Sequence, residues 1–334
     1  MEIKTERESR YEVLRVVSAI FILFNHINAN FDKQSINMIS DINRHAVMFF
    51  HMGGKFGVNI FVILGSYFLC YSEFKTSRIM RLLGETIFYG FLMNLIDIMF
   101  LKRTLTSIDF LRGFNYWFPF SYCILLVAIP YINKLMLRFD NKRIIYISGA
   151  SFLALFAWGC LRPDIKLYRI VSMEHIIGPC WFCFVYIIVT FLHKNDFFKV
   201  EKMQSISRIL FPISYSLMFI LCKSTGKMIF RDMFSPLCFV SALSFFVVFH
   251  KSNIVFDRRI RYISGATLAM YLIQCHNNTK ELLRYHVFKY DDYADSILFI
   301  PVCIGSVLIL IFIAVITNSL RIKMCGLLRT MRHK

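Results

Sequence analysis

The chain is a succession of apolar runs, most of them about the length needed to cross ~30 Å of hydrocarbon at 1.5 Å per residue, with charged or turn-forming stretches between. The runs fall at residues 13–30, 56–72, 84–101, 115–136 and 144–161, then at 176–192, 207–222, 233–250, 262–278 and 296–320. In lipid a backbone must satisfy its own hydrogen bonds, so runs of this kind are read as helices. The pattern predicts an all-α, polytopic integral membrane protein, a bundle of about ten transmembrane helices. Two runs are the least regular: 84–101 contains Glu85 and Asp97, and 207–222 is short. A chain that is 57% hydrophobic and only 18% charged is too apolar for an ordinary soluble domain of this length. No soluble domain, repeat or low-complexity segment interrupts the runs, so residues 1–334 read as a single transmembrane domain.

Charge placement then sets orientation and narrows the partners. Lys and Arg outnumber Asp and Glu by 39 to 21, a formal net charge of +18. The basic residues stand in short clusters between apolar runs instead of along one face, and no nucleic-acid-binding motif is present. The expected partners are therefore membrane lipids with anionic headgroups or a phosphate-bearing substrate, and no nucleic acid. With the N-terminus inside, 24 of the 39 Lys and Arg lie on the cytoplasmic side, which by the positive-inside rule predicts both termini cytoplasmic. The stretch MEIKTERESR has no small-residue cleavage site before Tyr11, so the first run reads as a retained span. Most of the ten Cys, Cys275 among them, sit inside apolar runs, and for Cys180 and Cys183 helix packing is the better reading. Cys180 and Cys183 form a C-x-x-C with no second pair, and no metal site is expected.

The first run carries the most informative polar pattern. From Tyr11 to His26, YEVLRVVSAIFILFNH places Glu12, Arg15 and His26 in or beside a helix that is otherwise apolar. Eleven residues at about 100° each amount to about three turns, so Arg15 and His26 share one face, roughly 16 Å apart along the axis. Glu12 and Arg15, three apart, are spaced to pair. A neutral imidazole inside a bundle can take a proton from a hydroxyl, which makes His26 a candidate general base.

On these residues the chain resembles the membrane-bound acyltransferase 3 family, which moves acyl groups, commonly acetyl, onto sugar hydroxyls of bacterial surface glycans. Its first helix opens with an acidic residue three before the Arg of a Leu-Arg pair, with a His eleven residues further on. Glu12, Leu14, Arg15 and His26 match, with Glu where Asp is common. GKFGVNIFVILGSYFL, Gly54 to Leu69, is similar to a family stretch ending in Ser-Gly-Phe or Ser-Gly-Tyr, but here Gly65 and Ser66 stand in the reverse order before Tyr67. YWFPFSYCILLVAIPYIN, Tyr116 to Asn133, resembles the aromatic, Pro and Asn pattern of members that modify capsule and exopolysaccharide, and brings in Trp117 and Tyr122. ISGATLAMYLIQCH resembles a family Tyr-Leu-Ile-His through Tyr271, with Gln274 in the His position and His276 two residues on, a shift of about 200° on a continuous helix.

The resemblance implies a membrane O-acyltransferase. Its donor would be acetyl-CoA or another acyl-CoA on the cytoplasmic side of the bacterial inner membrane, and its acceptor a sugar hydroxyl of a surface polysaccharide or lipid-linked precursor. It implies catalytic roles for His26 and Arg15, with Glu12 as Arg15's partner, and substrate contacts for Trp117, Tyr122 and Tyr271. No tightly bound cofactor is expected. Lys75, Arg78 and Arg81, spaced by three, would form one helical stripe able to hold the phosphates of coenzyme A. The competing reading is a polytopic transporter or glycan flippase, in which Asp97 and Glu174 would line a substrate path. Residues 1–160 and 161–334 show no evident similarity, which weighs against an internally repeated transporter.

Overall fold

The computed structural model describes residues 9–28, 40–70, 72–101, 115–161, 173–254, 257–276 and 282–332. Among them are eleven α-helices and no strand: α1 (Ser9–Asn28), α2 (Asp41–Leu69), α3 (Thr76–Leu101), α4 (Trp117–Arg138), α5 (Asn141–Leu161), α6 (Met173–Lys194), α7 (Glu201–Thr225), α8 (Pro236–His250), α9 (Arg258–Gly265), α10 (Thr267–Cys275) and α11 (Phe299–Arg332). Eight helical stretches are long and apolar enough to cross a membrane. This is an all-α, polytopic membrane protein.

Eight of the ten expected runs correspond to these stretches. The short run 207–222 lies within the 25-residue α7, because polar residues at both ends continue the helix past the apolar segment. α7 then stops at Gly226, whose left-handed φ of 66° lets its N–H close on the Cys222 carbonyl. The run at 84–101 lies within the 26-residue α3, with Glu85 and Asp97 turned to buried positions. The remaining two runs are of a different kind. The first is the 20-residue α1, which carries Glu12 and Arg15. The ninth is two short helices, α9 and α10, broken at Ala266. Residues 29–30 of the first run, 71 of the second and 277–278 of the ninth lie outside the described residues.

Burial separates lining helices from lipid-facing ones. Only 17% of the apolar window of α5 is buried, against 67% for α2, and Ile145, Tyr146, Ile147 and Leu153 of α5 are exposed. So continuous an apolar surface is at home in hydrocarbon, not in water.

The chain divides into two compact units. The first comprises Met1–Gly54, Ile87–Phe114 and Ile254–Lys334, and the second Lys55–Thr86 and Asn115–Asn253. In the first unit α1 packs on α9, α10 and α11, and α11 packs on α9 and α10. Asn43 ties the start of α2 to the turn before α11 by donating to the carbonyls of Ala294, at 2.8 Å, and Ser296, at 2.9 Å. In the second unit α7 packs on α8, and α6 on both α4 and α5. Its interior is largely aromatic. Trp181 lies among Phe184, Phe234 and Phe239 with ring centroids 5.0–5.8 Å away. Its indole N–H donates to Asn59 Oδ1 at 2.7 Å, and Asn59 Nδ2 donates to the Met233 carbonyl at 3.0 Å, so the buried polar atoms of this pair are satisfied within the cluster.

Candidate active site

The candidate residues of α1 face a seam that α9 and α10 form alongside it. Arg15 meets Ser264 and His26 meets Cys275, and both pairs are separated by 249 residues in sequence. A constant offset over about three turns means that the two segments run parallel and in register. The expected common stripe of Arg15 and His26 is present: both side chains reach the same broken helix.

At the Arg15 end, Glu12 is buried. The Ser264 hydroxyl donates to Glu12 Oε2, and Arg15 Nη1 lies 3.3 Å from the same oxygen and 3.5 Å from Ser264 Oγ. About a third of the Arg15 side chain (32%) remains exposed, against 8% for Glu12, so the buried carboxylate anchors a guanidinium whose side chain is still partly accessible. The helix break lies directly below. It frees backbone carbonyls, which in lipid must find partners. Asn318 Nδ2 donates to the Gly265 carbonyl at 3.1 Å and Thr267 Oγ1 to the Ser264 carbonyl at 2.9 Å. Asn318 Oδ1 in turn accepts from Arg321 Nη2 at 2.8 Å. The discontinuity is therefore tied to α11 through Asn318.

At the other end, His26 Nε2 is 3.3 Å from Cys275 Sγ, and the Tyr271 ring stands edge-on at 6.3 Å between centroids. Tyr271 and Cys275 are four residues apart on α10 and so present one face to the imidazole. Gln274, in the family's His position, is buried and donates to the Leu23 carbonyl at 3.0 Å. It fastens α10 to α1 and holds the register. Gly53 and Gly54 of α2 allow close approach to α1: a Cβ at Gly54 would collide with Asn25, the neighbour of His26.

The 200° objection to His276 rested on a continuous helix. α10 ends at Cys275, and His276 is its extended C-cap, with φ −63° and ψ 131°. Freed from helical phase, its ring turns to α3. Nδ1 lies 3.2 Å from Asp97 Oδ2 and Nε2 lies 3.2 Å from Asn94 Oδ1, with the His276 and Asp97 side chains both fully buried. Each ring nitrogen thus has an oxygen within hydrogen-bond reach, and the two buried polar side chains serve as partners for each other.

A family model described as an acyltransferase domain matches residues 9–317. The chain belongs to the acyltransferase 3 family. No curated protein and no solved structure matches it. The family match runs from the start of α1 into α11 and so includes segments of both units. Membership makes the chain a membrane acyltransferase.

Of the expected site residues, the first unit brings together Glu12 and Arg15 at one end of the seam and His26 and Tyr271 at the other. The second unit contains Lys75, Arg78, Arg81, Trp117 and Tyr122. The expected three-residue basic stripe is a stripe of two, since Lys75 stands one residue ahead of α3. Arg78 Nη1 donates to Ser72 Oγ and to the Glu73 carbonyl, each at 3.0 Å, which fixes the loop leading into α3, while Lys75 and Arg81 are exposed. Trp117 lies 4.7 Å from Lys55 Nζ, and that ammonium also pairs with Glu174 at 3.0 Å. A Cβ at residue 65 would collide with the Tyr122 hydroxyl, so the reversed Gly65-Ser66 order places the glycine where Tyr122 needs the space. Among the described residues, no group of three or more His, Cys, Asp or Glu could hold a metal ion.

Proposed function

We propose that this acyltransferase moves an acyl group, acetyl by preference, from acyl-CoA to a sugar hydroxyl of a surface polysaccharide or its lipid-linked precursor. The observation that carries the reading is the seam: an imidazole and a guanidinium on one stripe, about three turns apart, both held by α9 and α10. His26 serves as the base that receives the acceptor's proton as its oxygen bonds to the thioester carbonyl carbon, and the same proton then passes to the departing sulfur. Arg15, oriented by Glu12, holds negative charge of the donor or of the developing oxyanion.

The basic start of α3 supports a coenzyme A donor on the cytoplasmic side. A helix N-terminus disfavours cations, and the first turn of α3 has no acidic residue to offset Arg78. A bound phosphate would relieve this repulsion and engage Arg81 and Lys75. With both termini cytoplasmic, this cluster faces the compartment that contains acyl-CoA. Tyr271, beside the His26 imidazole, serves the acceptor, whose sugar ring suits an aromatic face. The transporter reading is weaker, because Asp97 is engaged by His276 and Glu174 by Lys55.

The test is mass spectrometry of the surface glycan from cells carrying either His26→Ala or the unaltered protein. The acetyl group should disappear while membrane amount of the variant is unchanged; retained acetylation overturns the assignment. Arg15→Lys should reduce transfer about ten-fold or more, because an ammonium cannot reproduce a two-pronged contact.

A further inference from the structure

We propose that Cys275 is the acyl carrier: the acyl group passes from coenzyme A to the Cys275 thiol and then to the sugar. The inference rests on the reading of His26 as base and deepens it. Cys275 Sγ, in no disulfide, lies 3.3 Å from His26 Nε2, the distance of a thiol and the base that would deprotonate it. Tyr271, one turn earlier on the same face, borders the same imidazole. The thiol is the last residue of α10, and the imidazole beside it is placed to take its proton at the moment of attack. Cys275 is also held from behind, since the next residue, His276, is locked against Asp97.

The chemistry balances without a further reactant. Sγ bonds to the carbonyl carbon of acyl-CoA and its proton moves to His26 Nε2. The bond from that carbon to the coenzyme A sulfur breaks, and the proton on His26 passes to the departing thiolate, giving S-acyl-Cys275 and free coenzyme A. In the second half the sugar hydroxyl attacks the same carbon, its proton goes to His26, the bond to Sγ breaks, and the proton returns to Sγ. Exchange of one thioester for another is close to isoenergetic, so the carrier neither traps the acyl group nor resists loading. An acyl-imidazole on His26 would lie uphill of both. Formation of the oxygen ester then draws the sequence forward.

The test needs no sugar. Purified full-length protein in detergent is incubated with radiolabelled acetyl-CoA alone, and separately with acetyl-CoA plus labelled coenzyme A. The expected results are one acetyl group on the Cys275 peptide, removable by neutral hydroxylamine, and appearance of labelled coenzyme A in acetyl-CoA. Cys275→Ala should abolish both and lower glycan acetylation in cells at least ~100-fold; Cys275→Ser should carry, at most, a label resistant to neutral hydroxylamine. Absence of exchange in the unaltered protein, label on His26 in place of Cys275, or glycan acetylation by Cys275→Ala within two-fold of normal overturns the carrier. Absence of exchange or normal acetylation by Cys275→Ala leaves His26 in place as base, whereas label on His26 makes it the carrier itself; the requirement for His26 fails separately if His26→Ala still acetylates.

Discussion

The two compact units solve the problem of a membrane interior differently. The second is packed mainly by aromatic rings, with Phe56 against Phe211, Tyr215 and Phe245 at 5.2–5.9 Å and Trp181 within its own ring cluster. The first is joined by polar contacts between helices: Ser264 to Glu12, Gln274 to Leu23, Asn318 to Gly265 and His276 to Asp97. Rings give contact area without directional demands. Hydrogen bonds at depth in lipid fix register, because each misplacement leaves an unsatisfied group. The polar unit is thus the one built to hold atoms at defined separations, and it contains the seam.

That contrast can be broken by mutation. The largest effect is expected at the buried His276–Asp97 pair. Asp97→Ala leaves the buried His276 ring without its partner and should cost about 3 kcal/mol, read as a lower unfolding midpoint in detergent. Replacing both members, Asp97→Leu with His276→Met, should recover much of this stability while transfer stays low, since the end of α10 loses its anchor. A double variant with normal transfer would show that the pair serves folding alone. Next is Trp181→Phe, which orphans Asn59 Oδ1 and should cost about 1–3 kcal/mol while transfer per folded molecule remains within about two-fold. Loss of transfer without loss of stability there would erase the distinction between the units. The smallest shift in stability is expected for Ser264→Ala, about 1 kcal/mol, because Glu12 keeps Arg15 as partner. Its mark should be on turnover, through a guanidinium no longer held at the break.

The common stripe of Arg15 and His26 was legible because helical phase is local: eleven residues are three turns wherever the helix packs. What the stripe faces was not legible, because partner choice belongs to tertiary packing, and neither Ser264 nor Cys275 stands out in its own segment. Its place inside an apolar run does not set Cys275 apart from the other cysteines. A signal was available, since it follows Tyr271 by one turn in a segment with a family resemblance. His276 was judged by helical phase although Gly265, a residue that weakens helices, stood eleven places before it. The break at Ala266 and the end of α10 at Cys275 remove that phase. Lys75 was placed on a stripe for the converse reason: spacing by three was assumed to be helical one residue before α3 begins.

The offset of 249 residues has a consequence for biosynthesis. Imidazole and thiol are made at opposite ends of translation, and their meeting waits until α10 has entered the bilayer and found α1. Every nascent chain that stalls before residue 275 has its base without its neighbour. The pairing of imidazole and thiol is thereby withheld from unfinished chains, and its formation reports that the first and late helices have closed on each other.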